Sequence, residues 1–355
     1  MAILITGGAG FVGSQIAFKF RQNYPSEKII VLDNLKRRGS ELNLPLFKKV
    51  NIDFIHGDIR NLTDLQSLQR NFEVLIEASA EPSVHAGTNG DPSYLLHTNI
   101  VGTLNCLEFA RKNVGTTIFL STSRVYSIGA LKAIPLEETE DRLEIDMTLE
   151  MLPGLTKYGI SEDFETKNYR SLYGASKLGS ELVAQEYAQT YKMNILINRC
   201  GVIAGPGQWG KVDQGVFTLW VANHYFKKRL SYTGFGGKGK QVRDLIHPDD
   251  LYTLIITQIN AGPNYSGQVF NVGGGHAAST SLKELTKICE DVTGNQIKLG
   301  AVPETASVDI PYYVTDHRRA SEAFSWKPIR SVRNIVCDIY EWLKREENNI
   351  RYIFE

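Results

Sequence analysis

Tyr173 and Lys177, set four apart in Tyr173-Gly174-Ala175-Ser176-Lys177, are the residues with the clearest chemical potential. On a helix that spacing puts a phenol and an ammonium on one face, about one turn from each other. A free phenol titrates at about 10, too high for a base at neutral pH, and a neighbouring cation favours the phenolate. Desolvation opposes this, and the expected balance is a lowered pKa. Such pairs also occur on ordinary surface helices, so a second feature has to distinguish this one. It is Phe119-Leu120-Ser121-Thr122-Ser123-Arg124-Val125-Tyr126, which puts hydroxyls at the end of an apolar, strand-like run. One of them, assigned to Thr122, can bond the same substrate oxygen that Tyr173 deprotonates.

The elements that must carry these groups begin with the apolar run Ala2-Ile3-Leu4-Ile5, which enters Thr6-Gly7-Gly8-Ala9-Gly10-Phe11-Val12-Gly13. Asp33 closes the next apolar run, Ile29-Ile30-Val31-Leu32. The glycines satisfy G-x-G-x-x-G at 8, 10 and 13, and equally G-x-x-G-x-x-G at 7, 10 and 13. A strand before them, an amphipathic segment 11–21 after them and an acid about 20 residues beyond Gly13 read as a dinucleotide-binding βαβ unit. Glycines let the turn tighten and the backbone approach a pyrophosphate, whose charge sits favourably on the N–H groups opening the helix. Gly7, Gly10, Phe11, Val12 and Gly13 form the expected cofactor turn, with Asp33 and Asn34 at the next strand end. A carboxylate accepts from the 2′-hydroxyl of NAD and repels the 2′-phosphate of NADP, so NAD is favoured. Lys36-Arg37-Arg38 just downstream keeps NADP open. The positive nicotinamide ring would be a second cation beside Tyr173.

The rest of the chain fits an enzyme built around such a unit. At 355 residues it is long enough for two domains, and Lys+Arg and Asp+Glu are both 39, which gives no electrostatic case for a nucleic-acid partner. No apolar run approaches the roughly 18 residues of a membrane span, so no membrane partner and a cytoplasmic location are expected. Cys106, Cys200, Cys289 and Cys337 show no C-x-x-C pairing and the seven histidines no H-x-x-x-H pair, so no metal is expected. Short buried strands are expected at 54–56, 74–76, 117–120 and 195–197, with helices at 99–111 and from Tyr173 to about Tyr191. That alternation predicts an α/β fold, a Rossmann-type doubly wound parallel sheet. From about residue 200 Gly/Pro-rich punctuation takes over. The expected division is 1–200 for the NAD-binding domain and 201–355 for a smaller, mostly substrate-binding domain, with the chain crossing back near 240–270.

Taken together, these motifs resemble the extended short-chain dehydrogenase/reductase superfamily, in the order glycine turn, Gly57-Asp58-Ile59-Arg60, Asn99, Ser/Thr strand end, Tyr173/Lys177. By that resemblance Asp58 and Ile59 flank the adenine, Asn99 supports the cofactor region and Lys177 also holds the nicotinamide ribose. Gln241-Val242-Arg243-Asp244-Leu245-Ile246-His247 is similar to the family segment whose Arg contacts the diphosphate of a nucleotide sugar. Arg319, in Asp316-His317-Arg318-Arg319, is a candidate second diphosphate ligand, with an exposed helix start as the plain alternative. Longer runs, Lys211-Val212-Asp213-Gln214-Gly215 to Trp220 and Gly237 to Asp244, are similar to the CDP-paratose 2-epimerase (CDP-tyvelose epimerase) group, and Asp213 and Gln214 become candidate substrate contacts.

Departures from the family pattern carry information too. Val202 stands where many sugar-nucleotide epimerases have Asn, and Ser127 replaces a Gly. The 4,6-dehydratases of this superfamily place an acidic pair directly after the Thr, to eliminate water; here those positions are Ser123 and Arg124. The resemblance therefore implies an NAD-dependent nucleotide-sugar epimerase, inverting carbon 2 of a CDP-linked hexose or deoxyhexose and assembling as a homodimer or homotetramer. A 4-epimerase would use the same residues. A catalytically silent NAD-binding regulatory protein would need the glycine turn but not Thr122, Tyr173 and Lys177 together.

Overall fold

The computed structural model describes residues 1–87, 90–209 and 215–354. Its centre is a seven-stranded sheet of Ala2–Thr6 (β1), Lys28–Asp33 (β2), Asp53–His56 (β3), Phe72–Glu77 (β4), Val114–Thr122 (β5), Asn194–Cys200 (β6) and Val269–Val272 (β7). The spatial order is β7-β6-β5-β4-β1-β2-β3, with every neighbouring pair parallel. The inner strands carry apolar runs because helices cover both faces; Ile3, Leu4, Ile5, Leu75, Ile76 and Ile195 to Ile197 are all fully buried. The strand expected to be buried at 54–56 is instead the sheet edge, with Phe54 and Ile55 half-buried and His56 exposed. One face packs on helix Phe11–Asn23 and on Leu251, Tyr252, Leu254 and Ile255 of helix Pro248–Asn260. The other packs on Cys106, Phe109 and Ala110 of helix Thr103–Asn113 and on Ala184 and Ala188 of helix Ser171–Tyr191.

The sheet order reverses between β1 and β4. Chain connections from these two strands leave in opposite directions, opening a crevice at their carboxyl ends, where this architecture binds its ligand. Strand β7 comes from the second half of the chain, after a smaller sheet strand, Val242–Ile246, that pairs with Val202–Ile203, Ser279–Ser281 and Tyr312–Tyr313. Helices Val216–Tyr225, Leu282–Thr293 and Val332–Phe354 share a second core built on Trp220, Leu285, Ile335, Ile339 and Leu343.

The expected helix at 99–111 differs in detail. Its first part, His97–Gly102, is a π-helix, and regular α-helix begins at Thr103. Asn99 lies inside the wide turn, the kind of bulge often found where a side chain has been turned toward a site. No helix among the described residues is long and apolar enough to cross a membrane.

Candidate active site

At the β1 turn the glycines have separate reasons. A Cβ on Gly13 would collide with the Gly7 carbonyl oxygen and come within 2.7 Å of the Gly8 Cα, so helix 11–23 can close on the turn only because residue 13 has no side chain. A Cβ on Gly10 would meet only the Gly7 oxygen, at 3.2 Å. The space beside Gly10 is otherwise open, at the first turn of a helix whose leading N–H groups attract an anion. Asp33 closes the cradle: its Oδ2 accepts from Ala9 N–H at 3.1 Å and its Oδ1 from Leu35 N–H at 2.8 Å. Burial raises the Asp33 pKa, and these backbone bonds oppose it.

The second rim of the cradle is Asp58. Asn34 Nδ2 donates to Asp58 Oδ2 at 2.9 Å and Arg60 Nη2 at 2.6 Å. Burial would raise this carboxyl, but those partners outweigh it and bring it down to about 2. Ile59 is buried against the π-helix, where a Cβ on Gly102 would collide with its Cδ1. Of the three cations that kept NADP open, Lys36 lies over the Tyr94 ring at 5.4 Å and Arg38 over the Tyr352 ring at 5.6 Å. An open glycine turn, a carboxylate at the end of β2 and an anion-favouring helix start together fit a dinucleotide.

Tyr173 stands in the first turn of helix Ser171–Tyr191, against the end of β5. The approach is set by Gly174, where a Cβ would collide with the Arg124 carbonyl oxygen. Thr122 ends β5, and its Oγ1 accepts from Arg124 N–H at 3.2 Å, which caps the turn and fixes the hydroxyl. The phenol is 8% exposed. The expectation of a lowered Tyr173 pKa fails in the protein alone. Burial pushes it up to about 12, against the opposing influence of the Thr122 hydroxyl and the Arg124 charge.

The strongest cationic influence on that phenol is Arg124 rather than Lys177. The Lys177 ammonium sits 3.9 Å from Glu77 Oε2 and 4.1 Å over the Phe119 ring. Burial lowers the Lys177 pKa, with Glu77 and Glu181 opposing. Asn99 ties this region together: its Oδ1 accepts from Glu81 N–H at 2.9 Å, and its Nδ2 donates to Ser176 Oγ at 3.0 Å. It thereby links the segment after β4 to the helix between Tyr173 and Lys177.

Two features have no signature in the sequence. Arg199 on β6 grips Glu181 on the same helix, Nη2 to Oε2 at 2.8 Å, and Ser121 donates to Glu181 as well. This buried pair pins the helix that carries Tyr173 across β5 and β6. The other is Glu77 itself, whose partner is visible only in three dimensions. Arg243 sits on strand 242–246, donating to the Val242 and Ile310 carbonyls at 2.7 and 2.6 Å. Arg319 is held by Asp163 at 3.1 Å and Glu162 at 3.6 Å. Asp213 and Gln214 lie outside the described residues.

Comparison with known proteins agrees with this architecture. The profile of the NAD dependent epimerase/dehydratase family matches residues 3–273. CDP-paratose 2-epimerase of Salmonella typhi is 30% identical, over 96% of this chain and 99% of that protein. A dTDP-glucose 4,6-dehydratase of Salmonella typhimurium is 26% identical, over 96% and 92%. In fold, the chain is similar to UDP-glucose 4-epimerase of Thermotoga maritima, solved with UDP-glucose, at a TM-score of 0.77 and 24% identity, covering 98% of this chain and 100% of that one. With the family profile covering most of the chain and a relative 30% identical over nearly its whole length, this protein belongs to the NAD dependent epimerase/dehydratase family and is an NAD-dependent enzyme of the extended short-chain dehydrogenase/reductase type.

Proposed function

We propose that this enzyme inverts carbon 2 of a CDP-linked hexose or deoxyhexose. The reading is carried by one observation: Thr122 and Tyr173 meet at the end of β5, and the two residues after Thr122 are Ser123 and Arg124 rather than an acid pair. The site has a group to hold the hydroxyl proton but lacks, in that turn, an acid to expel water, which favours epimerisation over dehydration. The likeness to CDP-paratose 2-epimerase supports the nucleotide and the position.

Gly7, Gly10, Phe11, Val12 and Gly13 would hold the pyrophosphate of NAD, Asp33 and Asn34 its adenosine ribose, Asp58 and Ile59 its adenine, and Asn99, Tyr173 and Lys177 the nicotinamide end. When bound, NAD supplies a hydride acceptor that gives the hydride back. Tyr173 takes the proton of the hydroxyl on the carbon to be inverted and later returns it. Thr122 holds the same oxygen throughout. Arg243 anchors the diphosphate, which leaves the sugar free to turn over. The Lys177 ammonium, buried beside Glu77, would hold the nicotinamide ribose.

A substrate deuterated at carbon 2 should give an epimer that keeps the label at that carbon in ordinary water. Washout into solvent would reject the hydride route in favour of deprotonation beside a ketone. Inversion at carbon 4 alone would retain the chemistry and replace carbon 2 by the 4-epimerase reading. Turnover of UDP-, GDP- or dTDP-sugars with CDP-sugars left untouched would reject the nucleotide.

A further inference from the structure

We propose that Arg124 and Arg243 form one two-armed clamp for the substrate diphosphate, with Arg124 taking the phosphate nearer the sugar. The inference rests on the nucleotide-sugar reading above. The two guanidiniums come from different parts of the fold, the turn after β5 and the strand 242–246, yet they hang on one segment. Arg124 Nη1 donates to the Val308 carbonyl at 3.2 Å and Arg243 Nη2 to the Ile310 carbonyl at 2.6 Å. Carbonyls two residues apart on one stretch of chain bring the two side chains alongside each other.

Neither guanidinium has a carboxylate oxygen within 4.0 Å among the described residues, whereas Arg60, Arg142, Arg199, Arg318 and Arg319 all do. Asp309, between the two anchoring carbonyls, is the acidic group that acts on both. Burial lowers the pKa of each, and for Arg243 the charge of Arg124 adds to the effect, bringing it down to about 9. A guanidinium does not give up its proton in a protein, so the free energy is recovered instead when an anion lies between the two charges. The uncommitted nitrogens are available for this. None of them is among the buried side-chain nitrogens that lack a partner, and both residues keep some exposed surface. Arg fits phosphate through parallel N–H bonds.

The order of the two arms follows from Tyr173. The Arg124 backbone packs directly on the helix at Gly174, and its charge is felt by the Tyr173 phenol. The reacting carbon has to lie at that phenol, so the arm beside it meets the sugar-side phosphate. Arg319, already paired with Glu162 and Asp163, is not needed for the clamp.

The test is calorimetric titration of the NAD-loaded protein with CDP, CMP, UDP and UMP. Whichever diphosphate the unaltered protein binds, Arg124→Gln should weaken it by about 10- to 100-fold and leave the matching monophosphate unchanged. Arg124→Lys, which keeps the charge and loses the fork, should fall between the two. Retained NAD and an unchanged circular dichroism spectrum establish that each variant is folded; if Arg124→Gln does not fold, Arg124→Lys and Arg124→Met carry the comparison. Equal diphosphate affinity in the variants and the parent overturns the clamp and leaves the nucleotide-sugar reading standing. An equal loss for mono- and diphosphate also overturns it. If the parent binds none of the four nucleotides, the CDP-sugar reading fails and the clamp argued from it falls with it.

Discussion

Lys177 Nζ lies 3.9 Å from Glu77 Oε2, with both side chains 1% exposed and neither Glu77 oxygen accepting a hydrogen bond among the described residues. A buried pair without supporting hydrogen bonds recovers little of its desolvation cost. Burial accordingly raises Glu77 from 4.5 to about 7, against the attraction of Lys177.

That gives a pH dependence of stability with a definite sign. Between about 4.5 and about 7 the unfolded chain has lost the Glu77 proton and the folded chain keeps it, so this group's contribution falls as pH rises and levels off above about 7. Glu77→Gln should match the parent near pH 5 and exceed it at pH 8, by on the order of 3 kcal/mol at most. Thermal unfolding at the two pH values reads this out. A variant less stable than the parent at pH 8 would show that the carboxylate is a net stabiliser through Lys177.

Tyr173→Phe should lower turnover by about 10² to 10⁴ while nucleotide-sugar binding is nearly intact, because the ring remains and only the proton acceptor is lost. Thr122→Ala should be milder. With the phenol at about 12 in the protein alone, the ionised fraction grows with pH, so parental turnover should rise toward alkaline pH until another group titrates. Near-parental turnover in Tyr173→Phe, measured at saturating substrate, would remove it as the base.

Gly10→Ala and Gly13→Ala separate cofactor space from packing. At Gly13 the new methyl would collide with the Gly7 oxygen, which should cost about 1–3 kcal/mol of stability or more. At Gly10 the single neighbour at 3.2 Å can give way, so the fold should survive with weakened NAD binding. Nucleotide released on denaturation should be NAD in the parent and reduced in amount in Gly10→Ala. Recovery of NADP would show that the basic run 36–38 outweighs Asp33.

Ile100, Val101 and Leu104, on one helical segment, and Leu172, Leu182 and Tyr191, on its neighbour, are exposed large apolar residues. We expect them to be covered by a second copy in solution. Light scattering should give a multiple of 39.7 kDa, and Leu104→Glu with Leu182→Glu should shift it toward the single-chain mass. A parent already at the single-chain mass would reject the homo-oligomer.

Local pattern alone determined a good part of this protein. The β1 turn and Asp33 were legible because their geometry depends on a few consecutive residues, and the inner strands because burial on both faces leaves apolar runs; that 54–56 would lie at the half-buried sheet edge was not. Tyr173 and Lys177 were legible because helical spacing places them on one face. Tertiary structure decided which partners those groups meet. Glu77 reaches Lys177 only when β4 is laid beside β5 and the helix 171–191 is pressed on the sheet, and Arg124 meets Arg243 only on the carbonyls of Val308 and Ile310. The Tyr173 pKa depends on the same packing, since desolvation is set by everything folded over the phenol, and no spacing along the chain carries that quantity.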